Sequence, residues 1–412
     1  MKPKAFISKS IKALVWFGGF FLPVQKNKVV CSSFHERGYS DNPKYIVEEL
    51  KTQKKYKIIW LLDDMSLSET LPPEIIPCKS ESLTAIYHLV TAAVWIDNCR
   101  KKFRYKKRKT LYIQTWHGGG GGKKCEKDVI EKLDDIYVNR AIKDAKNTDI
   151  MIAADYFTGM LYKKSFWFNG IVARIGYPRN VPILSNDKKD ICKRVKEYFG
   201  IDHDKGILLY APTFRKEDEE FLKEIDFSRL LNSFSEVMQK EYVIITHMHV
   251  NIKSEGKKLD YEINKVINGN TYTDMQELLV AADFLITDYS SVAYDFALMK
   301  KPVFRFLPDL KAYQADRDMY FDINEYPYPF AENNDELEGI IRNFDYLTYL
   351  KNLEVYLDKV GAIYNENAAK RVAEYIVEYT ENGLNKKKLF EKYASDFARS
   401  DLYLNKNNER KM

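Results

Sequence analysis

Short apolar runs alternate with longer stretches of helical period along most of this chain, and that alternation predicts α/β architecture with parallel sheets. The strand-like runs of the first half are KVVCSSF (28–34), YKIIWLLD (56–63), AVWID (93–97), TLYIQTW (110–116) and DIMIAA (149–154). Helical patterns lie between them, among them PKYIVEEL and VIEKLDDIYVNRAIKDAK. A second series follows GYPRN (176–180), with strands GILLYAP (206–212), YVIITHMH (242–249), DFLITDY (283–289) and KPVFRFL (301–307). Helices FSRLLNSFSEVMQKE and DMQELLVAA intervene, and the last sixty or so residues read as helical. Two such series predict two doubly wound, Rossmann-like domains facing each other across a cleft. The boundary falls where Pro178, Pro182 and a polar stretch break the pattern. Residues 28–180 form the first domain in this reading, and 181–400 form the second with its C-terminal helices.

Length and composition agree. At 412 residues the chain exceeds the size of a single core, and 45% hydrophobic with 14% aromatic residues supplies two. The net charge of +6 is too small to imply nucleic acid. Its distribution matters more: Lys2, Lys4, Lys9 and Lys12 open the chain, and Lys101 to Lys109 holds seven cations. Such a run is usually a solvated loop, and it would also suit anionic lipid headgroups. The five cysteines are scattered without a CxxC pair, which indicates neither a zinc site nor a disulfide framework and fits a reducing cytoplasm.

The segment ALVWFGGFFLPV (13–24) is apolar and follows lysines. As a helix it spans roughly 18 Å, short of the roughly 30 Å hydrocarbon core, so it does not cross a membrane. Residues 1–27 read as a segment lying in the membrane interface with Trp16 and Phe17 dipping inward. The alternative is a first helix packed on the protein body.

In open α/β sheets ligands bind beyond the carboxyl ends of strands. Four polar clusters stand there: Trp116-His117-Gly118, Thr213-Phe214-Arg215, His247 with His249, and Asp288-Tyr289-Ser290-Ser291. His117 precedes five glycines, where backbone can approach a ligand unobstructed, and an imidazole suits general-base work near neutrality. A mobile loop beside a satisfied histidine is the plainer reading. His247 and His249 share one strand face, a spacing that can ligate metal, but no carboxylate partner stands nearby. His249, nearer the strand end, suits a phosphate contact. Ser290 and Ser291 open a helix whose free N–H groups attract phosphate oxygens, or they are plain caps. Arg317 and Arg371 are candidate cations for a diphosphate.

Taken together, these residues resemble the CDP-glycerol:polyglycerol-phosphate glycerophosphotransferase family of teichoic acid and capsule synthesis. The likeness runs from YSDNPKYI (39–46) through QTWHGG (114–119), KKCEKD (123–128), GYPRN and APTFR (211–215). It is densest from AADFLITDYSSVAYDFALMKKPVF (281–304) to RDMYFD (317–322). The resemblance implies a glycosyltransferase-B type fold attached peripherally to the cytoplasmic face of the membrane. It implies transfer of glycerol phosphate from CDP-glycerol to a hydroxyl of a lipid-linked saccharide acceptor, releasing CMP; no tightly bound cofactor is expected, and the lack of a carboxylate-rich cluster allows the transfer to proceed without a metal. By motif, His117 is the base, His249 and Arg371 attend the donor diphosphate, and Asp288, Ser290 and Ser291 form the donor-side loop. Arg317, Thr213 and Arg215 stand with the donor set, and Gly118, Gly119 and Lys123 stand near the acceptor. Two departures are evident. Many relatives carry Thr-Pro-Leu-Lys after His-Gly, where this chain has four further glycines, and Arg-Gly-Phe-Tyr where it has Arg317-Asp318-Met319-Tyr320. A CDP-ribitol donor, or a sugar-nucleotide transferase of the same architecture, fits the same pattern.

Overall fold

A computed structural model describes residues 3–101, 106–213, 224–247, 265–316 and 318–397, with side chains from Ile11 onward. Residues up to His117, residues 125–181 and those from Asn367 form one compact unit; residues 118–124 and 182–366 form the other. The switch at 181–182 lies at the prolines that interrupt the sequence pattern. The C-terminal helices differ from the sequence reading. The helix Ala368–Glu381 joins the first unit, because its buried face (Val372, Tyr375, Ile376, Tyr379) packs on the helix Asp41–Lys51.

The first unit holds seven strands: β1 (Gln25–Cys31), β2 (Lys57–Leu62), β3 (Ile76–Lys79), β4 (Ala92–Asp97), β5 (Leu111–Gln114), β6 (Ile150–Ala153) and β7 (Ile171–Arg174). Their order is β3-β2-β1-β4-β5-β6-β7, with every pairing parallel. The order reverses at β1/β4, the switch point where the crevice of a doubly wound sheet opens. Central strands are buried on both faces, which is why they read as continuous apolar runs.

The second unit repeats the plan with β8 (Gly206–Tyr210), β9 (Tyr242–Thr246), β10 (Val266–Asn268), β11 (Phe284–Thr287), β12 (Val303–Phe306) and β13 (Phe330–Ala331). These run β10-β9-β8-β11-β12-β13, again all parallel, with the reversal at β8/β11. Its core gathers Phe227, Phe234, Tyr242, Phe284, Phe304 and Phe306 around the sheet.

The long helix read across 129–146 is broken. A 3₁₀ turn, Glu126–Lys132, precedes the helix Asp135–Asn147, and Asp134 caps that helix by accepting from the Tyr137 N–H. The N-terminal helix Pro3–Gly19 packs on the helix Leu83–Thr91. Gly19 permits the approach, since a Cβ there would lie 2.5 Å from Val90. Trp16 meets Trp95 edge-on with centroids 6.5 Å apart and joins an internal cluster, so it faces the protein rather than a bilayer. Phe17 does point outward, 68% exposed. No helix among the described residues is long and apolar enough to cross a membrane.

The basic run is no simple solvated loop; Lys102 and Arg104 lie outside the described residues and Arg108 and Lys109 are exposed, but Lys101, Lys106 and Lys107 are engaged. Lys101 is buried against Asp97 at 2.5 Å, and Lys106 pairs with Asp149 at 2.8 Å. Asp149 also accepts from Lys386 at 2.7 Å and from the Tyr112 N–H at 2.8 Å, tying the C-terminal segment to the sheet. Asp149→Asn strands two cations, and we expect it to lower the unfolding free energy in urea by about 3 kcal/mol. Lys386→Met, which leaves the Lys106 pair intact, should cost less.

Candidate active site

β5 ends at Gln114, whose buried side-chain amide sets the turn that follows. Its Nε2 donates to the Cys99 carbonyl at 2.8 Å, and its Oε1 accepts from the Trp116 N–H at 2.9 Å. Thr115 N–H donates to the Asp97 carbonyl at 2.8 Å. Trp116 then adopts a left-handed backbone, φ 54°, which turns the chain toward the end of β4. His117 follows, half-buried at the switch point of the first sheet.

The imidazole is held on every side but one. Its Nδ1 lies 2.7 Å from the Asn98 carbonyl, an oxygen that only accepts, so Nδ1 carries the proton and Nε2 keeps its lone pair. Trp116 stacks on the ring with centroids 4.8 Å apart, and Phe34 meets it edge-on at 5.7 Å. The Cys99 thiol stands 3.8 Å from Nδ1. Burial pushes the His117 pKa below the ordinary imidazole value, outweighing its bond to Asn98 and the charge of Asp41. Burial thus favours the neutral ring, whose basic nitrogen is Nε2.

Backbone bonds fix the same loop. Asn42 Nδ2 donates to the Trp116 carbonyl at 3.1 Å, and Arg179 Nη1 donates to the His117 carbonyl at 2.9 Å. Arg179 also pairs with Asp41 at 2.7 Å. Below, Arg100 is buried between Glu126 (2.9 Å) and Asp144 (3.3 Å), its guanidinium 5.4 Å from the Trp116 ring centre. None of Asp41, Asn98 or Arg179 stood out in the sequence as chemistry. Asp41 and Arg179 lie inside YSDNPKYI and GYPRN, which was the only available signal.

In the second unit, Asp288 follows β11 and is 2% exposed. Its carboxylate accepts from the Thr213 N–H at 2.9 and 3.0 Å and from Thr213 Oγ1 at 2.7 Å. It thus joins the ends of β8 and β11 at that sheet's switch point. Ser290 Oγ accepts weakly from the Val292 N–H at 3.4 Å. Ser291 occupies the N-cap position without a side-chain capping bond, so the pair of serine caps read from the sequence is absent. His247 lies in the residues after β9, its N–H bonded to the Tyr210 carbonyl at 2.8 Å. Arg215, His249 and Arg317 lie outside the described residues. Arg371 belongs to the first unit, where it pairs with Glu374 at 3.0 Å and Asp396 at 3.5 Å.

The glycine loop belongs to the second unit and is anchored within it. Tyr356 donates to the Gly120 carbonyl, and Tyr326 donates to the Gly121 carbonyl at 2.9 Å. Lys123 pairs with Met319 as an antiparallel bridge, flanked by Lys124 N–H to Asp318 (2.9 Å) and Tyr320 N–H to Gly122 (3.0 Å). Lys123 also stands 5.3 Å over the Tyr313 ring, which stacks on Tyr289. Gly118 and Gly119 lead into this anchor. The end of the glycine run and the Asp318–Tyr320 stretch, both in segments that depart from the family pattern, thus pair with each other.

Comparison with known proteins places these features in context. The family model "CDP-Glycerol:Poly(glycerophosphate) glycerophosphotransferase" matches residues 16–378. The chain is 27% identical over 369 residues to a teichoic acid poly(glycerol phosphate) polymerase of Bacillus spizizenii, covering 86% of this chain and 93% of that protein. It is 26% identical over 399 residues to a teichoic acid ribitol-phosphate primase of the same organism, covering 92% and 99%. It spans about half the length of two other poly(glycerol phosphate) polymerases that it matches. Among solved structures, a variant of the wall teichoic acid polymerase TagF soaked with CDPG superposes with a TM-score of 0.80 at 25% identity, over 91% of this chain and 94% of that one.

Gly120 has φ +71°, and a Cβ there would meet the Tyr294 ring at 2.6 Å; Gly122 has open space around it. Gly120→Ala should therefore cost about 2 kcal/mol of stability, and Gly122→Ala less than about 0.5, in paired urea titrations.

Proposed function

This chain belongs to the CDP-glycerol:poly(glycerophosphate) glycerophosphotransferase family and has its glycosyltransferase-B-like fold, and from that premise we propose that it transfers glycerol phosphate from CDP-glycerol to a hydroxyl of a lipid-linked acceptor. Family membership and the relatives together make it a polyol-phosphate transferase of teichoic acid synthesis. The observation that carries the reading is the single free nitrogen of His117. With Nδ1–H committed to Asn98, Nε2 accepts the proton of the acceptor hydroxyl as that oxygen attacks the β-phosphorus. The P–O bond to CMP breaks, and CMP leaves with the electron pair. Charge spreads over phosphoryl oxygens in such a transfer, so catalysis is mostly positioning and charge matching. Thr213, which Asp288 holds, is a donor-side group in this proposal, together with Ser290, Ser291, Arg215, His249 and Arg317. Arg371, the remaining donor-side cation of this proposal, pairs through Nη1 with Glu374 and through Nε with Asp396.

A ribitol donor is the second reading, favoured by the near end-to-end match to the ribitol-phosphate primase. Release of CMP from CDP-glycerol and from CDP-ribitol, each with a lipid-linked acceptor, decides between them. His117→Ala should lower turnover by at least about 100-fold with the fold intact. Because burial lowers the His117 pKa, the ring stays deprotonated as pH drops through about 6.5. The acid limb of kcat/KM should accordingly lie below that value, and a limb above it would remove His117 from the role.

We further propose peripheral attachment to an anionic bilayer through the N-terminal helix. Leu14, Phe17 and Phe21 are 70%, 68% and 80% exposed. Lys107 donates to the Gly19 and Leu22 carbonyls, which brings exposed Arg108 and Lys109 to the apolar end. Phe17→Glu with Phe21→Glu should abolish co-sedimentation with phosphatidylglycerol vesicles while CMP release with a soluble acceptor persists.

A further inference from the structure

Two motifs, YSDNPKYI and GYPRN, have no part in the transfer as written, yet both converge on the base. We propose that the buried Asp41–Arg179 pair is the positioning device of His117, holding the imidazole in the tautomer whose Nε2 faces the reaction; this rests on the function proposed above.

The connections close into a ring of hydrogen bonds. Arg179 Nη1 donates to Asp41 at 2.7 Å and to the His117 carbonyl at 2.9 Å. The other Asp41 oxygen accepts from Asn98 Nδ2 at 2.9 Å. The Asn98 carbonyl accepts from His117 Nδ1 at 2.7 Å, which returns the path to its start. Neighbours brace it: Asn98 Oδ1 accepts from the Phe34 N–H at 2.7 Å, and Asn42 Oδ1 accepts from the Arg179 N–H at 3.0 Å. The ion-paired side chains are only 5% and 6% exposed.

A carboxylate in the first turn of a helix is common, because the N-terminal dipole favours it. Two features set Asp41 apart. Its backbone takes φ 60°, a left-handed conformation that costs energy for a residue with a Cβ. Its partner Arg179 spends one nitrogen on both the carboxylate and the base's own carbonyl. Burying a pair of charges costs desolvation that their attraction roughly offsets, so stability alone gives little reason to keep one here. The geometry instead gives the pair a job: the length of the path from Arg179 through Asn98 sets where the ring sits.

The charges facing the ring are Asp41 from the helix start, Asp97 from β4 and Arg179 from the turn after β7, with the Cys99 thiol beside Nδ1. Asp41 and Arg179 act on the imidazole with opposite sign. That opposition sets the direction of each titration shift, and the tautomer is the readout that a merely structural role would leave unchanged.

The experiment uses the full chain labelled with ¹⁵N-histidine; its six histidines keep the spectrum readable, and His117→Gln assigns the resonance. In Asp41→Asn the His117 titration should move to lower pH, since the anion is lost and Arg179 stays. In Arg179→Gln it should move to higher pH. Both variants should show mixed tautomers in place of the Nδ1–H form. In both, kcat for CMP release should fall at least about tenfold, with KM for the donor within about threefold. Shifts in the same direction, or an unchanged tautomer, overturn the proposal. Should either charge variant fail to fold, Asn98→Ala opens the ring without stranding a charge and must still mix the tautomers; a wild-type spectrum there overturns it equally. A wild-type chain that releases no CMP from either CDP-polyol defeats the functional reading instead, and the spectra still decide the positioning role.

Discussion

Parallel strands cannot be joined by hairpins, so each strand of both sheets must be followed by a crossover that returns the chain to the opposite end. Every segment that leaves a carboxyl end is therefore free of sheet pairing, while its root is fixed by the most rigid part of the unit. Asn98 roots at β4, His117 at β5, Arg179 beyond β7, Thr213 at β8 and Asp288 at β11. This constraint is what lets residues far apart in sequence be brought to hydrogen-bonding distance within one unit. Asp41 and Arg179 are 138 positions apart and share a 2.7 Å contact.

The strands that the hydrophobic pattern missed are β3, β7, β10 and β13, the two edges of each sheet. An edge strand pairs on one side only and is covered less, so its sequence need not be apolar: β3 reads IPCK and β7 reads IVAR. Central strands, buried on both faces, announce themselves. The break before Asp135 was invisible for a different reason, since Leu133 and Ile136 continue the helical period across it; only the cap bond of Asp134 reveals the boundary. Trp16 was misread because an apolar residue next to lysines looks the same whether it packs on a bilayer or on Trp95.

The site shows the same split. His117 could be picked out as a candidate because it stands at a strand end before glycines. The groups that hold it could not, since aspartate, asparagine and arginine at turns carry ordinary local explanations as caps and solvated side chains. What distinguishes them is burial together with long-range pairing, and neither has a sequence period. The partners of the glycine run were equally out of reach of composition: Tyr356 and Tyr326 hold two of its carbonyls and anchor it.

Arg179 and Asn42 take hold of carbonyl oxygens at His117 and Trp116, and carbonyls belong to every amino acid. The path of the main chain there is consequently indifferent to what hangs from position 117. Isosteres of graded acidity, a fluorinated imidazole or a triazole, can be seated in one unchanged cradle, so that proton affinity becomes the sole variable along such a series. Few scaffolds allow the basicity of a group to be dialled apart from its address.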